Sequence, residues 1–157
     1  MNTYQKKADE YLRDYMRLYN LIKKKYLEID FFHGKVTGGA IRYDKDKIMT
    51  TPTNMLEEAA CEVDEVQREL ERLLPIYNDL RKQLKRYVRR IKDEDARMVI
   101  KMHYLFDAPW KDIPDQLYMS ERTMWRKRDV ALNELGKMLA RDENDVRTTL
   151  IENAKGR

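Results

Sequence analysis

The chain has 157 residues, 42% hydrophobic and 38% charged, with five glycines, four prolines and one cysteine. That length holds one medium domain or two small ones, and the recurrence of Ala, Glu, Lys, Leu and Arg with few breakers gives an all-α expectation. The formal charge of +4 names no partner by itself. Cys61 alone excludes an intrachain disulfide, and no run approaches the roughly 18 apolar residues of a membrane span, so a protein of a reducing cytoplasm with no membrane partner is expected.

Residues 1–32 read as an N-terminal amphipathic helix. Over 3–31, Tyr4, Ala8, Tyr11, Tyr15, Leu18, Ile22, Tyr26 and Ile29 recur at the spacings of three and four that one helical face requires. From 33 to 54 the pattern stops, and Gly34, Gly38, Gly39 and Pro52 mark a loop of about twenty residues, a length uncommon inside compact domains. Its two motif-like stretches fail. Gly34-Lys35-Val36-Thr37 has Ile29 where a phosphate loop has its leading glycine, and no Ser or Thr follows Lys35. Asp44 and Asp46 begin no calcium loop, since Met49 and Met55 occupy its sixth and twelfth positions.

Residues 55–92 carry the cleanest periodicity. Leu56, Ala59, Val63, Val66, Leu70, Leu73, Tyr77, Leu80, Leu84, Tyr87 and Ile91 form a heptad seam, about 54 Å long if the helix is unbroken. Thr53 or Asn54 is placed to cap it, and Pro75 predicts a kink near Leu74. The seam needs a partner surface: residues 3–31, in a helical hairpin, or a second copy, in a coiled-coil homodimer, or both at once. Its last part is strongly basic (Arg81, Lys82, Lys85, Arg86, Arg89, Arg90, Lys92), which makes Arg86, Arg89 and Arg90 candidates for phosphate contacts.

Residues 93–141 have a helix-turn-helix outline. Asp93-Glu94-Asp95 starts a helix with Val99, Ile100, His103, Tyr104 and Phe106 on its apolar face, and Asp107-Ala108-Pro109 ends it. A short second helix over Trp110–Leu117 buries Trp110, Ile113 and Leu117. Tyr118-Met119 turns the chain. Ser120 caps a third helix to about Ala140, with Met124, Ala131, Leu132, Leu135, Met138 and Leu139 inward. The first turns of such a helix point at base edges, which puts Ser120, Glu121, Arg122, Thr123, Trp125, Arg126 and Lys127 at the DNA with Lys111 beside them. Residues 142–157 form a polar tail.

The stretch from Arg97 to Leu139 resembles region 4 of bacterial sigma factors. The likeness is carried by Trp110-Lys111-Asp112-Ile113, Leu117, Met119-Ser120-Glu121-Arg122-Thr123-Met124 and Ala131-Leu132-Asn133-Glu134-Leu135. Behind a helical arm, it makes the chain similar to phage late-transcription regulators of the ArpU and RinA type. The resemblance implies a sequence-specific, double-stranded DNA-binding transcription regulator, phage or prophage encoded, acting on late or packaging genes in the cytoplasm of a bacterial host. Two further readings stand beside it: the DNA-recognition small subunit of a phage packaging terminase, and a module that binds RNA polymerase or a sigma factor without touching DNA. The pattern departs from the family at Trp125, large for a base-reading position, which either stacks on sugar or packs on a neighbour.

No enzyme is expected. His33 and His103 lie seventy residues apart and Cys61 belongs to the heptad segment, so no metal-ligand spacing arises. Ser120 lacks a base, helix capping accounts for Asp93, Glu94 and Asp95, and no cofactor fingerprint survives.

Overall fold

The computed structural model describes residues 1–36, 53–142 and 152–155, and every regular element among them is helical. Helix α1 spans Thr3–Val36, α2 Thr53–Arg89, α3 Glu94–Ile100, α4 Ile113–Gln116 and α5 Glu121–Arg141. Both long helices intrude on the loop expected over 33–54, because a single glycine such as Gly34 costs a helix only about 1 kcal/mol and does not end it. The rest of that loop, with the rejected phosphate and calcium motifs, lies outside the described residues, as do the capping side chains at Thr53 and Asn54 and most of the polar tail. Helix α2 is continuous through Pro75.

The chain divides into two compact units, Tyr19–Pro75 and Met1–Leu18 with Ile76–Arg157. In the first, Ile22 of α1 is buried, as are Ala59, Val63, Val66, Leu70 and Leu73 along the heptad face of α2. Lys25 pairs with Glu69, and its pKa is raised by that hydrogen bond against a smaller opposing effect of burial.

In the second unit, Ala8, Tyr11, Leu12 and Tyr15 of α1 are buried, as are Leu80, Leu84, Tyr87 and Val88 of α2. The tyrosines of this face bury their rings and bond their hydroxyls, as buried tyrosines must. Tyr11 donates to the buried Gln83 at 2.9 Å and meets Tyr87 edge-on. Tyr15 and Tyr77 stack with hydroxyls 3.2 Å apart. Burial, then Tyr77, pushes the Tyr15 hydroxyl well above its ordinary range. Arg81, part of the basic run, is turned inward: its guanidinium donates to the Tyr15 hydroxyl at 3.1 Å and to the Leu105 carbonyl at 3.2 Å.

The first turn of α1 lies on α5. A β-carbon at Gly136 would fall on the Tyr4 backbone carbonyl, so only glycine permits the approach. Asn2 donates to the Asn133 side chain at 3.0 Å, Gln5 to the Asp129 carbonyl at 3.2 Å, and Arg128 pairs with Asp9 at 3.2 Å.

Candidate nucleic-acid interface

The candidate interface is built on α3, α4 and α5. Asp93 caps α3, accepting from the Ala96 amide at 3.1 Å. After Ile100 the helix widens into a π turn over Lys101–Leu105. The extra residue per turn shifts the register, so Met102 and Leu105 are buried and Phe106, expected on the apolar face, is 60% exposed. His103 and Tyr104 stay at the margin, half-buried. Asp107 turns back at φ 58°, and a single 3₁₀ turn at Trp110–Asp112 leads into α4, with Pro114 in its first turn where its missing N–H has no partner to lose. Val99, Met102, Ile113 and Met124 form the shared core, with Trp110, Leu117 and Met119 packed against it.

The turn between α4 and α5 places Tyr118 at φ 53°, a region that side chains other than glycine seldom adopt, with its ring 96% exposed. Ser120 then caps α5: its Oγ accepts from the Thr123 amide at 3.1 Å and donates to the Thr123 hydroxyl at 2.9 Å. Such a cap is worth about 1 kcal/mol. It fixes the direction in which the first turns of α5 leave the core.

The residues singled out from the sequence divide into three groups. Lys111, Glu121, Arg122 and Arg126 are exposed. Arg122 and Arg126 lie one turn apart on the same face, and neither they nor Lys111 form an ion pair with any described residue. Ser120 and Thr123 close the cap. Trp125 and Lys127 are tied to their own chain. Trp125 tilts onto Trp110 at 5.2 Å between centroids and directs its indole N–H to Glu121 at 3.4 Å. It packs on a neighbour, the second of the two roles read for it. His103 stacks on the same Trp110 at 3.8 Å, and the guanidinium of Arg128 lies 5.7 Å from both indoles. Lys127 holds Asp93 at 2.7 Å, locking α5 to the start of α3.

Three groups here titrate away from their ordinary ranges, among them Tyr104, whose hydroxyl is raised chiefly by burial. The Asp93 carboxyl is held low by the Lys127 hydrogen bond first and the Ala96 amide second. His103 is lowered chiefly by burial, partly opposed by its hydrogen bond to the Ala108 carbonyl at 2.9 Å and by Asp107.

Arg86, Arg89 and Arg90 are exposed at the end of α2. Beyond the basic run the sequence reading missed Lys137 and Arg141, which with Arg90, Lys92, Glu134 and Met138 line a depression of about 370 Å³. The i, i+4 spacing of Lys137 and Arg141 was visible. Their proximity to Arg90 and Lys92 arises only when α5 packs on the start of α3. Among the described residues no group of His, Cys, Asp and Glu is placed to hold a metal ion, and no helix is long and apolar enough to cross a membrane.

Residues 29–136 match the model of a family described as a protein of unknown function (DUF1492), a match that runs from the last turns of α1 through most of α5. No curated protein and no solved structure matches the chain. The match spans more than half of the sequence, and the chain belongs to this family.

Proposed function

We propose that this member of the DUF1492 family is a sequence-specific, double-stranded DNA-binding regulator of transcription that reads base edges with the first turns of α5. The observation that carries the reading is the pair Arg122 and Arg126: exposed, without an ion pair among the described residues, and one turn apart at the capped start of a helix whose base is locked to α3 by Lys127 and Asp93. Arginine presents a planar fork that matches the two acceptors of guanine in the major groove, and a fixed helix limits the ordering cost of using it. Lys111, exposed at the start of the second helix, is suited to a flanking phosphate. The likeness to sigma region 4 directs the reading to promoter-type sites and to phage late or packaging genes. Most of the heptad seam is buried inside the chain, which leaves less of it to support a protein-docking module or a seam-mediated homodimer.

The test is binding to fragments of the source genome at several salt concentrations, with wild type and an Arg122→Ala/Arg126→Ala variant. The expected result is salt-sensitive selection of one fragment by wild type, and its loss in the variant with residual binding to all fragments. Equal weakening on every fragment would reduce the two arginines to phosphate contacts.

A further inference from the structure

The opposite end of α5 is as basic as its reading end. Helix α5 has 21 residues and is therefore roughly 30 Å long, whereas the major groove is only about 12 Å wide and 8.5 Å deep. With the first turns seated in a groove, Lys137 and Arg141 lie beyond the stretch being read. They converge with Arg90 and Lys92 around the 370 Å³ depression, whose floor includes Met138.

Cations at helix C-termini have an ordinary role, offsetting the negative end of the dipole, but that end carries only about half a charge per helix. The ends of α2 and α5 together leave most of four cations unbalanced. Among the described residues the one carboxylate lining the depression, Glu134, accepts from the Lys92 backbone amide at 2.9 Å, and neighbouring Asp142 accepts from the Tyr87 hydroxyl at 3.0 Å. None of Arg90, Lys92, Lys137 and Arg141 has an ion pair with a described residue. Exposed Arg86 and Arg89 continue the patch along α2.

We propose that this depression is a second nucleic-acid contact, one that holds phosphodiester backbone outside the stretch read by Arg122 and Arg126. The proposal rests on the DNA-binding reading but requires no sequence selection. Backbone in that position comes from one of two sources, the flank of the same duplex or a second duplex.

The experiment measures binding of random-sequence duplexes against salt for wild type, Lys137→Gln/Arg141→Gln and Arg122→Ala/Arg126→Ala. Both glutamine positions are exposed, so the far-UV spectrum and unfolding midpoint are expected to stay unchanged. The glutamine variant is expected to lower the slope of log K against log salt by about 1.8, or 0.9 per lost phosphate contact, with the preference for the selected fragment intact. If the change needs duplexes well over one helical turn at one protein per duplex, the same duplex supplies the backbone. If it is complete on duplexes of about one turn with two per protein, a second duplex does. An unchanged slope overturns the proposal while leaving the reading by α5 standing. A reduced slope in a protein that selects no fragment keeps the depression and sinks sequence reading instead. An unchanged slope with lost binding of polyglutamate transfers the patch to an acidic protein and overturns the proposal.

Discussion

Tyr118 holds a left-handed backbone conformation with almost no burial to compensate it. A β-carbon there costs on the order of 1 kcal/mol, and glycine adopts that φ freely. Tyr118→Gly is therefore expected to raise the unfolding free energy by about 0.5–1 kcal/mol in urea titrations; a decrease would mean that the ring has partners in the folded chain. His103 makes stability depend on pH in a stated direction. Its folded pKa lies below the ordinary value of 6.5, so the unfolded chain binds more protons as pH falls below that value and stability declines there. His103→Gln, which also loses the stack on Trp110, is expected to be less stable at neutral pH but to have a flatter profile between neutrality and the folded pKa. Asp93, whose pKa is lowered, adds a separate loss below the usual carboxylate range, and Lys127→Met should reduce it, leaving the share due to the Ala96 amide. At the reading end, Arg122→Ala is expected to cost about 1–3 kcal/mol on the selected site and to relax base preference at one position, as a substitution series in the operator would record.

At the scale of single helices, legibility followed how local the governing physics was. The six inward positions read for α5, from Met124 to Leu139, are all buried, because helical periodicity and a core on one side determine them. The Ser120 and Asp93 caps were legible for the same reason. Phe106 was not, since the π turn before it inserts a residue that a regular repeat does not anticipate. Nor was the commitment of Lys127 to Asp93: a cation on a helix looks the same in sequence whether it faces solvent or a distant carboxylate. Gly136 makes the limit measurable. Helix propensity alone favours Gly136→Ala by about 1 kcal/mol, yet the methyl group would meet the Tyr4 backbone, so a net destabilisation of about 1–3 kcal/mol is expected in thermal or urea melts. A gain in stability would show that the start of α1 is free to move off α5.

For the molecule as a whole, the sequence disclosed the ingredients of the seam better than its use. Burial of much of the heptad face within one chain agrees with the hairpin. The segments suggested by periodicity, an arm followed by a separate DNA-binding domain, are cut across by the compact units, one of which joins residues 1–18 to the C-terminal half. Helical periodicity accounts for the part of that joining made with α2, but nothing in a local pattern announces the part made with α5, which depends on one glycine, two side-chain amides and an ion pair far apart in the chain. It bears on the order in which the protein is made. Asn2 meets Asn133 across 131 positions, a stretch that a ribosome adding 5–20 residues per second needs roughly 7 to 26 s to synthesise. For that interval the first turn of α1 lacks the part of α5 that it meets, whereas the tyrosine face behind it needs only α2. The unit that joins residues 1–18 to α5 thus closes only after α5 has been made.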